Sequence, residues 1–338
     1  MALWRKALFP IQILFRTAVL LRKTIYKSSL YKRYSASVPV LVVGNLASGG
    51  TGKTPMVDYI LTHFSKQYVL GMLSRGYGRQ TKGYRHVSKH SRANEVGDEP
   101  LMLAQKHANV VVSVCERRPE GLQKMQSDFP NIQAFVLDDA LQHLPLLPSF
   151  RIVLTTFQKP WFSDAVLPVG NLREPATASR DADVVVVTKC PSDLDPSTKE
   201  AFHTKLGIHS KQQLYFTTLE YDTHVRGAAD RPLAEFIQAP FVLLTGIANP
   251  ATLVSFLEDK GATFAHNSFA DHHRFSKAEI DALRALNQPI LTTEKDAVRL
   301  APYELINLYT LGVRVRFLED EVKFIEIIET GLQTVPVK

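Results

Sequence analysis

The run Ser48-Gly49-Gly50-Thr51-Gly52-Lys53-Thr54, directly behind the apolar stretch Val38–Val43, constrains this chain more than any other feature. A continuous apolar run reads as a strand buried on both faces, and the glycine-rich run behind it reads as a turn opening a helix. That layout is the one a nucleotide phosphate-binding loop requires. Glycines let successive backbone N–H groups converge on an anion, and the helix N-terminus adds unpaired donors and a favourable dipole. Ala47 stands where the G-x-x-x-x-G-K-[ST] pattern begins with glycine. On this reading Ala47, Ser48, Gly49, Gly50, Thr51 and Gly52 form the cradle. Lys53 reaches the β- and γ-phosphates, and the Thr54 hydroxyl takes a place on Mg²⁺.

The chain has 338 residues, room for two domains, with the apolar and charged content of a globular protein. Its two cysteines, Cys115 and Cys190, stand far apart with no CxxC or Cys/His cluster, which excludes a disulfide framework and a thiolate zinc site. The net charge of +7 is concentrated at one end. Residues 1–36 hold eight basic side chains and no acid, while the rest carries 32 basic and 33 acidic groups. The body is therefore nearly neutral, which argues against a nucleic-acid-binding surface.

The basic arm has helical periodicity. Arg5, Gln12, Arg16, Lys23 and Lys27 fall on one side of a wheel, and Trp4, Leu8, Ile11, Phe15 and Ala18 fall opposite, joined by Ala7, Leu14, Leu21 and Ile25. Its longest uncharged run, Ala7 to Phe15, is far short of the ~20 residues that span a bilayer. Basic residues interrupt the apolar part, so it does not read as a cleaved signal. Two readings remain: an amphipathic helix lying on an anionic membrane surface, or a helix docked on the body by its apolar side.

From residue 38 to about 190, apolar runs alternate with amphipathic segments. Strands are expected at Val38–Val43, Tyr68–Leu73, Val110–Val114, Ala134–Leu137, Arg151–Thr155 and Val184–Val187. Helices are expected at Lys53–Ser65, Glu99–Lys106 and Glu120–Ser127. After a break at Cys190–Ser197 come an extended run, Gln213–Leu219, and a second α/β set ending at Thr292. The expected architecture is α/β: a P-loop NTPase-type doubly wound parallel sheet over 37–200, and a smaller α/β domain over 201–338 that closes over the active site. An N-terminal amphipathic helix occupies 1–36.

Several polar groups would emerge at the carboxyl ends of these strands, where ligands bind in such sheets. Phe135-Val136-Leu137-Asp138-Asp139 is an apolar strand ending in two acids that can hold Mg²⁺ directly or through water. Gly97-Asp98-Glu99-Pro100 reads either as helix-start acids or as a proton-accepting carboxylate, Asp98. In Asp271-His272-His273-Arg274-Phe275, adjacent histidines project apart, which disfavours a metal site. A histidine paired with a carboxylate, or two polar loop residues, are the readings left. Ser74–Arg79, with Arg75 and Tyr77, suits a loop gripping an anionic head or an ordinary turn. Arg117 follows another strand, and Arg173 and Glu174 lie in a proline-rich loop.

Together these residues resemble the tetraacyldisaccharide 4′-kinase family of lipid A biosynthesis. The resemblance rests on GNLASGGTGKTP, SRGYGR, GDEP, LDDALQH, LPVGNLREP, TGIANP, FADHHRF and LTTEKDA, in the family's order. Ala140 and Leu141 depart from the family's glycine and aromatic after the two acids. The resemblance implies transfer of the γ-phosphoryl group of ATP to the 4′-hydroxyl of a tetraacyldisaccharide 1-phosphate. It implies Lys53 and Thr54 at phosphate and Mg²⁺, and Asp138, Asp139 and Glu174 near the metal. Asp98 becomes the general base, paired with His272 across a cleft that must close. Arg75, Tyr77, Arg117 and Arg173 become candidates for gripping substrate. It places the protein at the cytoplasmic face of the bacterial inner membrane, peripheral or monotopic through its basic helix, on anionic lipid and with no obligate protein partner. The alternative is a membrane-associated P-loop ATPase or GTPase without a lipid acceptor. Against it, Ser48 replaces the signature lysine of partitioning ATPases, and Pro191 stands where a guanine-reading aspartate belongs after Thr188-Lys189.

Overall fold

The computed structural model describes residues 5, 7–28 and 31–335; Trp4 and Lys6 of the basic arm lie outside them. In chain order the principal elements begin with helix α1 (Phe9–Lys27), strand β1 (Val40–Asn45), α2 (Lys53–Phe64), β2 (Leu70–Ser74) and α3 (Asp98–Lys106). β3 (Val111–Val114), α4 (Arg118–Asp128), β4 (Ala134–Asp138), β5 (Phe150–Thr156), β6 (Val184–Thr188) and α5 (Pro196–Leu206) come next. The remainder is β7 (Gln213–Arg226), β8 (Phe241–Thr245), α6 (Ala251–Asp259), β9 (Phe264–Ser268), α7 (Lys277–Arg284), β10 (Ile290–Thr293), α8 (Glu294–Leu300), β11 (Leu308–Phe317) and α9 (Glu321–Gln333).

These elements form two compact units. The first comprises Met1–Arg75, Asn109–Leu219 and Val315–Lys338, and the second comprises Gly76–Ala108 and Glu220–Arg314. The expected boundary near residue 200 therefore differs from the observed division. Gly76–Ala108, with Tyr77 and Asp98, groups with the second unit, and the C-terminal helix groups with the first. The Cys190–Ser197 break is local: Asp195 Oδ1 accepts from Thr198 N at 2.9 Å, which caps α5 within the first unit.

In the first unit, parallel strands run in the order β7–β6–β5–β1–β4–β2–β3. β1, β4 and β6 are buried at every position, as their continuous apolar sequences require. α9 packs on this sheet. Phe324 is fully buried among Tyr59, Tyr215 and Phe317, and Gly331 lies against Phe150 with no room for a Cβ.

In the second unit, β9, β8, β10 and β11 are parallel in that order. β8 shows why its sequence does not alternate. Phe241 and Leu243 enter one apolar cluster with Leu257 and Tyr309, while Val242 and Leu244 enter another with Phe275 and Ile280. Both faces are covered, so these four positions are all apolar.

α1 begins at Phe9, with Pro10 in its first turn. It sits on the first unit by its polar side: Lys23 and Lys27 each reach Asp181 at 2.7 Å, and Arg5 donates to Asn171 Oδ1 at 3.3 Å. No residue of α1 is buried, and Phe9, Leu14, Leu21 and Ile25 are about half exposed or more. Docking by the apolar side is therefore not what is observed. Among the described residues no helix is long and apolar enough to cross a membrane.

Candidate active site

The site residues of the first unit gather at the carboxyl ends of β1 and β4. β1 ends at Asn45, and the chain reaches α2 through Gly52 at φ +86°, a left-handed conformation that a side chain would strain. Two buried hydrogen bonds hold the turn: Asn45 Nδ2 donates to Thr51 Oγ1 at 2.8 Å, and Thr188 Oγ1 donates to the Thr51 carbonyl at 2.8 Å. Ser48, Gly49 and Gly50 at the tip are exposed. The proline-rich loop runs alongside, Ser48 N donating to Asn171 O and Arg173 N to Leu46 O. Ala47 pairs with Leu172 in that contact, which accounts for a residue other than glycine there.

Lys53 Nζ lies 3.4 Å from Asn45 Oδ1 and 3.8 Å from Asp139 Oδ1. Thr54 Oγ1 donates to Asp138 Oδ2 at 3.3 Å. A hydroxyl and a carboxylate from helix start and strand end thus converge, a hard-oxygen pair of the kind Mg²⁺ accepts alongside phosphate oxygens and water. Asp139 turns elsewhere, at φ +49°, and takes Arg173 at 2.8 Å. Its carboxyl resists burial, yet Arg173 and Lys53 hold it below the usual carboxylate range. Glu174 is buried and lines a small cavity with Lys23, Lys27, His143 and Asp181, and burial raises its carboxyl. Asp138, Asp139 and Glu174 do not form one acidic cluster among the described residues.

The roles of three residues in this half escape a sequence reading. Arg118, fully buried, donates to Cys115 O at 2.6 Å and Asp138 O at 3.1 Å, fixing the end of β4. Burial pushes its guanidinium down to about 10, so it stays charged at neutral pH. Asn45 and Gln142, whose Nε2 donates to Asn45 O at 3.0 Å, brace the turn from inside. Arg117 and Arg75, by contrast, are exposed.

The second unit holds a separate group of the expected residues. Gly97, at φ +92°, leads into α3 so close to Gly76 and Tyr77 that a Cβ would lie 3.1 Å from their backbone. Asp98 is thereby the first residue of α3, 4% exposed, with Oδ1 accepting from Glu99 N at 2.9 Å. Its Oδ2 accepts from His272 Nδ1 at 2.9 Å, and Arg299 Nε stands 3.7 Å away. Burial resists its ionisation, but His272, Lys295 and Arg299 together hold the carboxyl below its ordinary range. His272 sits at φ +58°, its ring centroid 5.1 Å from that of the exposed Tyr77. Asp98, His272, Tyr77, Arg92 and Phe275 line one cavity of about 390 Å³. The Asp98–His272 pair needs no closure to form, because both residues belong to one unit. His273 goes instead to Glu279, the acid of the Ser276 capping box on α7.

This geometry offers a glycine-rich turn with a hydroxyl–carboxylate pair in one unit, and a buried, ionised carboxylate with an imidazole partner in the other. The family described as "Tetraacyldisaccharide-1-P 4'-kinase", LpxK, matches residues 4–333. The tetraacyldisaccharide 4'-kinase of Flavobacterium johnsoniae is 36% identical over 328 residues, covering 96% of this chain and 96% of that one. That of Phocaeicola vulgatus is 34% identical over 335 residues, covering 94% and 92%. The crystal structure of LpxK from Aquifex aeolicus in complex with ATP superposes with a TM-score of 0.80 at 27% identity, covering 98% of this chain and 100% of that one. The chain belongs to the LpxK family of tetraacyldisaccharide 4'-kinases.

Proposed function

We infer that this protein transfers the γ-phosphoryl group of ATP to the 4′-hydroxyl of a tetraacyldisaccharide 1-phosphate, a step of lipid A biosynthesis. The observation that carries this is family membership over residues 4–333, a span that takes in both the phosphate turn and the Asp98–His272 pair. We read the first unit as a P-loop NTPase-type domain, supported by its parallel sheet and by the turn between β1 and α2.

In this reading the backbone from Ala47 to Gly52 cradles the phosphates and Lys53 neutralises the β- and γ-oxygens. Thr54 and Asp138 would hold Mg²⁺, while Asp139 is paired with Arg173 and Glu174 lies in the cavity with Lys23 and Asp181. When bound there, Mg²⁺ would supply charge neutralisation during phosphoryl transfer. Arg173 passes its charge to the phosphoryl group, which requires it to exchange Asp139 for that ligand. Asp98 accepts the proton of the 4′-hydroxyl and His272 orients it and stabilises its charge. A carboxylate of low basicity suffices, because phosphoryl transfer proceeds through a loose transition state that asks little of the base. Arg75, Tyr77 and Arg117 are proposed to grip the acceptor head.

An acceptor with four acyl chains stays in its bilayer, since exposing each CH₂ costs about 0.8 kcal/mol. We therefore propose that α1 rests on the cytoplasmic face of the bacterial inner membrane, apolar side down, among anionic lipids. The exposure of Phe9, Leu14, Leu21 and Ile25 supports this. The direct test is Lys53→Ala, which should leave label from γ-labelled ATP untransferred to the acceptor. Near-normal transfer would overturn the assignment of the turn.

A further inference from the structure

The segments that carry Asp98 and His272 are 174 residues apart in the chain and have no shared secondary structure. Something must hold them in register, and α8 touches both. Lys295 Nζ lies 3.3 Å from Glu99 Oε1, beside Asp98, and 3.3 Å from Asp271 Oδ1, beside His272. One ammonium thus ties the neighbour of each partner, and it is only 19% exposed while doing so. Asp271 in turn faces the far side of the imidazole, Oδ2 standing 3.6 Å from His272 Nε2. α8 is itself pinned. Thr293 caps it through Asp296 N, and Asp296, fully buried, accepts from Gly246 N at 3.0 Å and from Arg299. Arg299 then donates to Gly246 O at 2.8 Å and His273 O at 3.3 Å. Lys106 of α3 reaches Glu294 at 3.3 Å, a second tie between α3 and α8.

We propose that Lys295 is a positioning residue for phosphoryl transfer: it clamps the Glu99 and Asp271 carboxylates so that Asp98 and His272 meet in the geometry the reaction uses. This rests on the reading of Asp98 as base. The groups facing Asp98 are Glu99 on its own helix, His272 with Asp271 behind it, Lys295 and Arg299 from α8, and Arg92 across the cavity. Lys295 and Arg299 are the cations that touch both segments. Arg299 is also tied to the buried Asp296 and to Gly246, so removing Lys295 loosens the segments and takes a cation from the carboxylate with less disturbance to α8. A positive charge favours the ionised form, so its loss raises the pH at which Asp98 protonates.

The test compares Lys295→Met and Lys295→Arg in the full chain, with and without Asp98→Asn, by steady-state kinetics over pH and by thermal melting. Lys295→Met should lower kcat by about 10- to 100-fold, the usual cost of losing a group that orients a reacting residue. It should leave KM for ATP unchanged and move the acid limb of the kcat profile to higher pH. Lys295→Arg should restore most of the rate and return the limb. In the Asp98→Asn background Lys295→Met should add no further loss. Parental kcat with an unmoved limb in Lys295→Met overturns the proposal. A loss that Arg does not rescue, with the limb unmoved, overturns it equally and assigns the residue to the fold alone. Lys295→Gln carries the same readouts if the Met variant does not fold. If Asp98→Asn by itself keeps parental turnover, the base reading fails and this inference with it. If Asp98→Asn is inactive while Lys295→Met is unimpaired, only the clamp is wrong.

Discussion

Asp98 is a buried carboxylate that nonetheless stays charged, because its cationic and imidazole neighbours outweigh its desolvation. Asp98→Ala should therefore lower kcat by about 10²- to 10⁴-fold, the range for loss of a positioned base, and leave ATP affinity intact. An unchanged rate in single-turnover experiments would remove Asp98 as base. His143 shows the opposite electrostatics. Burial, with Arg118, Arg75 and Arg22 nearby, pushes its imidazole down to about 4. The unfolded chain then takes up the proton first, so stability falls as pH drops from about 6.5 to about 4 and is unaffected above that window. The loss should be on the order of 2–3 kcal/mol, and His143→Gln should flatten this part of the denaturation profile. An equally steep acid dependence in the variant would contradict it. Lys53, Thr54 and Asp138 are legible in the sequence because spacing and strand context fix their direction. Asn45 and Arg118 are not, since Asn45 acts on the Thr51 hydroxyl and Arg118 on the carbonyls of Cys115 and Asp138, partners that only the folded chain brings within reach.

At the scale of elements, α1 is the helix whose sequence and placement answer different questions. The sequence separates a basic side from an apolar side, but it does not say which side meets the protein. The Lys23–Asp181 and Lys27–Asp181 pairs decide that, and they leave the apolar side outward. Leu14→Glu with Leu21→Glu should therefore weaken sedimentation with anionic vesicles without lowering the melting temperature. A lowered melting temperature with unchanged vesicle binding would place these leucines in a packed contact instead. α9 poses the converse case. The expected elements end at Thr292, yet the buried Phe324, Ile328, Gly331 and Leu332 of α9 fall at i, i+4, i+7 and i+8, a helical spacing those expectations pass over. Tertiary packing selects α9's buried face, and Phe324→Ala there should cost about 3–5 kcal/mol by urea denaturation.

Across the whole molecule, the division into units is the least legible property. Strand and helix spacing foretells most of the α/β elements, but a change of composition at Cys190–Ser197 is not where the chain changes unit. Residues 76–108 leave the first unit after β2 and rejoin it before β3, a return that depends on contacts far apart in sequence. Hydrogen exchange should accordingly show 76–108 opening together with 220–314. We propose, as the central claim, that the turn at Lys53 and the Asp98–His272 pair serve one reaction. It is tested most directly by incubating the purified chain with Mg-ATP and a tetraacyldisaccharide 1-phosphate, then locating any new phosphate by mass spectrometry and phosphorus NMR. A new monoester on the 4′-oxygen, formed in step with ADP, is the predicted result. ADP released with the acceptor unchanged, or phosphate added elsewhere on it, would contradict the account.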